Sequence, residues 1–566
     1  MPRRRGAAQA WGGWAVAALL YVLGLGLMFR FVWLPGPARS IGDDADGAIL
    51  VATLEHWFRV FEGAAADWRS PGWFWPATDT LGLTDTYFLI ALPYALFRVL
   101  GLGLFDAYNA AVAVLATVGF WGFVALARRG GVPAAVAGAL GLVFAFGALP
   151  TYKLVHGQTY AVMFAPILGL LLLAAWRRRG APAAAAGWAA AAGLLYGLLT
   201  LTAPQTAWFL AFAAGLAAAV ALLLTALDGA LPRRAEAARL ARQAVPVAAG
   251  GLVGLALGLV PVVLVYAGAL AGHRRAWAET LLYLPRFADV VHVQPGNLLW
   301  DDALHRAGIT EMPGVPDAEI ALGFTPALAL VAVASFIALW PVRRVAGRHP
   351  WDHAAQAFLV AAALGWLLTV NYGSVQPWHA VFDLVPGANG IRTPFRIQLA
   401  SLFFLCLGVA HVASRTLAAA GRLGSVRLSV AVGAILALCA VEQAGRGPIT
   451  RDTAAEEGWL LASRRPAFPC AAFHLLPAPA GSGAPWYLQQ SDAMLLSMRL
   501  GMPTLAGNSS WFPLGYDMPH VDLPDYRQRA LAWIDAHGLR DQVCGVEPRT
   551  GRWEQGIAPL LPGAGS

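Results

Sequence analysis

Residues 1–47 read MPRRRGAAQAWGGWAVAALLYVLGLGLMFRFVWLPGPARSIGDDADG. Arg3, Arg4 and Arg5 precede an apolar stretch from Trp11 to Phe29, and the chain then reaches Gly42-Asp43-Asp44-Ala45-Asp46-Gly47. A basic tip, an apolar run of membrane-crossing length and an acidic loop describe a first span with its N-terminus in the cytoplasm. The run is long for a signal peptide and has no small-residue cleavage site, so it is expected to be retained.

The rest of the chain extends this pattern. Of its 566 residues, 58% are apolar and 13% charged, with a mean hydropathy of +0.58. A single soluble core stops growing at a few hundred residues, so lipid must cover much of this surface. The net charge of +8 is not a nucleic-acid signal, because the basic residues lie in short clusters between apolar segments. Candidate spans are 11–33, 107–127, 132–150, 159–176, 184–202, 206–226, 245–271, 321–341, 354–370, 396–418 and 428–444. Each is close to the roughly 20 residues that cross a bilayer. Segment 86–104 is also apolar but is broken by Pro93 and carries Arg98. It is expected to be re-entrant or interfacial. The fold class is a polytopic α-helical membrane protein of about 11–13 transmembrane helices.

Orientation follows from the arginines. With eleven spans and a cytoplasmic N-terminus, seventeen arginines fall on the cytoplasmic side: Arg3 to Arg5, Arg128, Arg129, Arg177 to Arg179, Arg233, Arg234, Arg239, Arg242, Arg343, Arg344, Arg348, Arg422 and Arg427. Only Asp228, Glu236 and Asp352 oppose them, whereas the first external loop, 34–85, holds eight acids and three arginines. This asymmetry places loops 34–85, 272–320 and 371–395 outside, on a membrane domain of residues 1–444. Residues 445–566 then also lie outside, in a bacterial periplasm. They are polar and Pro-rich and read as a small α/β domain. Cys470 and Cys544, its only cysteines, are expected to pair there, two free thiols being the alternative. Cys406 and Cys439 lie in spans and read as packing residues.

Three carboxylates within four residues, Asp43, Asp44 and Asp46, repel one another unless a cation or a sugar hydroxyl shares their site. They are candidates for a general base, and Asp44 and Asp46 for a divalent metal such as Mg or Mn. The plainer alternative is a solvated loop in which Asp46 caps a helix over 48–61. Glu55 and His56 lie about three turns further along that helix, where one could share its face as a substrate ligand. Trp68, Trp73, Phe74 and Trp75 either anchor an interfacial segment or stack on a sugar. Lys153, the sole lysine, with His156 and Gln158 forms an external turn suited to a phosphate and a leaving group, or else a plain polar turn. Arg392 and Arg396 flank a Thr-Pro turn at the mouth of a span and could clamp a lipid phosphate or snorkel to headgroups. There is no nucleotide-binding signature, zinc-ligand spacing or Ser/His/Asp elbow.

The order of these parts resembles the GT-C superfamily of integral-membrane glycosyltransferases. It is closest to bacterial members distantly similar to protein O-mannosyltransferase and aminoarabinose transferase type proteins. Gly42-Asp43, His156-Gly157-Gln158 and Arg392-Thr393-Pro394-Phe395-Arg396 carry the resemblance, which covers roughly residues 11–420. It implies transfer of a sugar from a polyprenyl-phosphate donor to a glycan, lipid or protein acceptor at the outer face of a bacterial inner membrane. Asp43, Asp44 or Asp46 would serve as base or metal ligand, and Lys153, His156, Arg392 and Arg396 would hold the lipid phosphate. A clear Asp-Glu pair and the acceptor motif of the oligosaccharyltransferase branch are missing. The alternatives are a transporter or flippase for lipid-linked intermediates and a catalytically silent envelope-assembly protein. No internal duplication is seen, and the polar residues gather in the outer loops, which favours the enzyme.

Overall fold

The computed structural model describes residues 2–36, 38–309, 319, 321–339, 351–476 and 485–561. Among them, seven helices are long and apolar enough to cross a membrane: Trp11–Met28, Leu104–Arg129, Ala134–Arg177, Pro182–Thr202, Pro204–Leu227, Arg234–Ala269 and Pro394–Arg422.

Ala134–Arg177 is 44 residues long because it doubles back on itself. Its first half, Ala134–Phe146, returns along Leu104–Arg129, with Gly141 against Phe120 and Phe123. Its last part, Ala165–Arg177, runs parallel to Leu104–Arg129: Gly119 faces Met163, Gly122 faces Ile167, and Leu126 faces Gly169. Arg177 donates to the carbonyl of Arg129 at 2.8 Å, so both basic ends meet. The expected spans 132–150 and 159–176 are thus two arms of one hairpin. Its tip is a 3-10 segment, Lys153–Phe164, kinked at His156 (φ −106°, ψ 79°). Expected spans 321–341, 354–370 and 428–444 fall on the helices Pro326–Leu339, Asp352–Thr369 and Val426–Val441. At about 1.5 Å per residue all three are shorter than the roughly 30 Å hydrocarbon core, Asp352–Thr369 only slightly.

Close helix packing uses small residues. Gly250, Gly254 and Gly258 of Arg234–Ala269 lie against Ala186, Ala190 and Leu194 of the parallel helix Pro182–Thr202. A Cβ on Gly254 would sit 1.9 Å from the Ala190 carbonyl oxygen. In lipid, such close backbone approach supplies much of the attraction between helices. Segment 86–104 contains a 12-residue helix, Phe88–Val99, with Leu92, Leu96 and Val99 exposed. At about 18 Å it is too short to cross alone.

The C-terminal region holds strand Ala472–Leu475 parallel to Val543–Glu547, which pairs antiparallel with Arg552–Glu554. Helices Trp486–Leu500 and Tyr526–Ala536 pack on this small sheet, and Thr453–Ala462 packs on Trp486–Leu500 and on strand Arg39–Ile41. Cys470 and Cys544 are joined by a disulfide, with a Cα separation of 5.9 Å. The first loop is bound into this domain at three places, one of them the Trp511 N–H to the Leu83 carbonyl at 3.2 Å. Strand Arg39–Ile41 pairs with Thr450–Asp452, and the backbone at 72–75 bonds to 504–506 through Trp75 N–H to Thr504 O at 2.9 Å and Thr504 N–H to Gly72 O at 2.8 Å. Trp73 and Phe74 are fully buried, and the Phe74 ring packs edge-on against Tyr516. This aromatic run therefore anchors the C-terminal domain to the first loop, so these two rings are open to neither lipid nor sugar.

Candidate functional site

Gly42 adopts φ +103°, which a side chain would disfavour, and turns the chain out of strand Arg39–Ile41. Asp43 Oδ1 then accepts the N–H groups of Ala45 (3.1 Å) and Gly47 (3.0 Å), closing the turn in front of helix Asp46–Phe61. Ala45 is the N-cap, the capping oxygen comes from Asp43 two residues earlier, and Asp46 is the first helical residue. Asp44 is exposed. Burial, and next the Asp46 charge, raise the Asp43 carboxyl above its ordinary value.

Asp46 meets the hairpin tip. Its Oδ2 lies 2.7 Å from His156 Nδ1, while 46% of its side chain stays accessible. Burial pushes the Asp46 carboxyl up, but the hydrogen bond and charge of His156 outweigh it and leave the group below its usual range. The kink that ends at His156 points the other ring nitrogen, Nε2, toward Glu319 Oε1 at 3.5 Å.

Glu319 is the hub of this site. Arg396 donates to both of its oxygens through one terminal nitrogen, at 2.9 and 2.7 Å, and Arg392 reaches it at 3.2 Å. Lys153, completely buried, places Nζ 3.9 Å away. Burial raises the Glu319 carboxyl, but Arg396, His156, Lys153 and Arg392 together hold it well below the ordinary carboxylate range.

Beside this cluster opens a cavity of about 680 Å³. Asp85, Gln158, Arg392 and Arg396 form one wall; Tyr196, Trp208, Tyr266 and Trp511 supply aromatic surface, and Arg274 and Arg275 add positive charge. Burial pushes the Asp85 carboxyl up to about 7, helped by the charge of Asp46 and opposed by Arg396 and a hydrogen bond from Gln158. Ser510 and Trp511 of the C-terminal domain complete the lining.

The structure thus brings Asp46, Lys153, His156, Gln158, Arg392 and Arg396 to one place from three distant stretches of chain. Glu55 and His56 go elsewhere. Glu55 accepts from Arg98 (3.0 Å) and Tyr94 (2.8 Å), and His56 bonds the Trp68 carbonyl at 2.8 Å, with burial pushing its ring down to about 4. Neither lines the cavity. Asp85 and Glu319 carry no motif. The signal that could have found Glu319 is Arg396, a guanidinium at the start of a buried helix that needs a counter-charge. Among the described residues, no three His, Cys, Asp or Glu side chains are grouped to hold a metal ion. Asp43 is committed to its turn and Asp46 to His156, so Asp44 and Asp46 form no ready ligand set.

No protein-family model matches the sequence, and no curated protein matches it. Among solved structures, the chain is similar to the apo oligosaccharyltransferase of Archaeoglobus fulgidus, with 12% identity and a TM-score of 0.49 over 93% of this chain and 68% of that one. It is also similar to AglB of Archaeoglobus fulgidus in complex with an inhibitory peptide and a dolichol-phosphate, with 11% identity and a TM-score of 0.44 over 94% and 69%. A third likeness is ArnT of Cupriavidus metallidurans bound to undecaprenyl phosphate, with 15% identity and a TM-score of 0.34 over 87% and 84%. These are distant likenesses, and the functional reading rests on the residues of this chain.

Proposed function

We propose that the protein is a membrane glycosyltransferase that moves a sugar from a polyprenyl-phosphate carrier to an acceptor on the outer face of a bacterial inner membrane. The observation that carries this reading is one cavity wall that presents a carboxylate, Asp85, beside the guanidinium groups of Arg392 and Arg396. Direct displacement at a sugar carbon needs both. The acceptor oxygen or nitrogen forms a bond to the anomeric carbon and gives its proton to a carboxylate. The bond from that carbon to the phosphate oxygen breaks, and its electron pair leaves on the phosphate, where arginines stabilise the growing charge. The cavity volume falls within the usual range of small-ligand sites, and its aromatic side chains offer faces for a sugar ring.

Asp46 and Asp85 divide the acid work in this reading. Asp85 opens into the cavity with a carboxyl poised near neutrality, as a general base requires. Asp46 is held ionised by His156 and orients that ring toward Glu319. The arginine asymmetry of the loops supports the outward orientation.

The test uses the purified full chain in proteoliposomes with the lipid-linked sugars of its host membrane and follows sugar leaving the lipid carrier. Asp85→Asn and Arg396→Ala are each expected to lower transfer by a factor of roughly a hundred or more. Unchanged transfer in both variants, with folded protein, would end the reading.

A further inference from the structure

We propose that Glu319 is a tethered occupant of the seat that receives the donor's phosphate, so that Glu319 and the phosphate exclude one another. The inference rests on the transferase reading above and adds a regulation to that site.

Charge gives the first argument. One carboxylate lies among Lys153, Arg392, Arg396 and the imidazole of His156, with all but Arg392 buried. Two guanidinium groups and the Lys153 amine gather around this one carboxylate, while the other acids of the cluster stand further off, Asp46 across the His156 ring and Asp85 near Arg396. Buried cations are expensive to leave without a full complement of counter-charge.

Unmet hydrogen bonding gives the second. Lys153 Nζ, His156 Nε2 and Arg396 Nε are buried and have no hydrogen-bond partner among the described residues. The Glu319 oxygens satisfy the terminal nitrogens of Arg392 and Arg396 at 2.7–3.2 Å but stand 3.5 Å from His156 and 3.9 Å from Lys153. Such unpartnered buried polar atoms, donors at Lys153 and Arg396 and a donor at His156 only when both ring nitrogens carry protons, are uncommon in finished sites. The donor's phosphodiester has two non-bridging oxygens on a tetrahedral phosphorus and one negative charge, and the monoester left after transfer has three and up to two. Either can accept from the arginines and reach donors that a flat carboxylate misses. The seat therefore fits phosphate better than the side chain that now fills it. Because Arg392 and Arg396 also line the cavity, the seat opens toward the proposed donor site.

A permanent counter-ion role for Glu319 predicts the opposite behaviour. The two are separated by measuring binding of farnesyl phosphate and of inorganic phosphate to the detergent-purified full chain. Wild type is compared with Glu319→Gln, Glu319→Asp and Arg396→Ala, each checked for its melting midpoint. Displacement predicts that Glu319→Gln tightens farnesyl phosphate binding tenfold or more, and that Glu319→Asp, one methylene shorter, tightens it less. If Glu319→Gln fails to fold, Glu319→Asp alone carries the comparison. Equal or weaker binding in the Glu319 variants, with binding still lost in Arg396→Ala, would overturn the displacement and leave the transferase reading standing. Arg396→Ala binding as well as wild type would instead remove the phosphate seat itself. A gain with farnesyl phosphate alone identifies a lipid headgroup as the displacing group; an equal gain with inorganic phosphate identifies free phosphate.

Discussion

Asp46 and Asp85 both feel the charge of Arg396, yet their surroundings push them in opposite directions. The 2.7 Å bond to His156 keeps Asp46 ionised. Asp85 is desolvated and faces the Asp46 charge, the Arg396 guanidinium, the Gln158 amide and the phenols of Tyr87 and Tyr266. A general base works only when ionised, so turnover should rise with pH through about 7 and level off above it. Asp85→Asn should remove that limb and cost about 10²–10⁴ in rate. Stability should move the other way. A folded-state value raised above the unfolded one means that the folded chain holds its proton more tightly than the unfolded chain does. Stability therefore falls as pH rises from the ordinary carboxylate value toward about 7. At pH 8, Asp85→Asn should thus melt higher than wild type, by roughly a few degrees, while being inactive. A lower melting midpoint would show that the Asp85 carboxylate is a structural ion-pair partner and not a strained functional group.

The glycine ladder between Pro182–Thr202 and Arg234–Ala269 makes a sharp case at the level of elements. Gly254→Ala puts a methyl where the Ala190 carbonyl oxygen already stands, so the helices must part. It should cost about 1–3 kcal/mol, the usual range for overpacking, and be read as a lower midpoint in detergent. Gly187→Ala, on the same helix pair but with nothing within 4 Å of its added methyl, should be neutral or slightly stabilising. Equal effects from both would mean that propensity, not packing, governs the pair. The long spans among the described residues were legible because each is an uninterrupted apolar run, a requirement that lipid imposes on every crossing. The hairpin tip was only half legible. Its residue types, Lys153, His156 and Gln158, announced an anion or a proton relay, but they read as a surface turn, and Lys153 is completely buried. What buries and charges it comes from Glu319 and Arg396, more than 150 residues away in sequence, and no local pattern can show a partner at that distance. Glu55 shows the converse, a carboxylate beside a motif whose partners, Arg98 and Tyr94, belong to the neighbouring short helix.

Across the whole molecule, charge and chemistry are segregated to opposite ends. Arg128, Arg129 and Arg177 gather at one end of the hairpin, where Arg177 bonds the Arg129 carbonyl. His156, Glu319 and the cavity lie toward the other, beneath a C-terminal domain that the first loop holds by three backbone pairings. A protein built this way can work on only one side of its membrane, so its orientation decides which substrates it meets. By the positive-inside rule the arginine end is expected in the cytoplasm and the cavity outside. Single cysteines can test this with little background, because Cys406 and Cys439 are buried and Cys470 and Cys544 are joined. In right-side-out vesicles, Thr550→Cys, exposed on the C-terminal domain, should react with a membrane-impermeant maleimide. Gly180→Cys, exposed just beyond Arg179, should react only after the vesicles are opened. The reverse pattern would turn the cavity toward the cytoplasm. Asp85, Arg392 and Arg396 would then face soluble sugar donors as readily as lipid-linked ones, and the choice of a polyprenyl-phosphate carrier would lose its topological support.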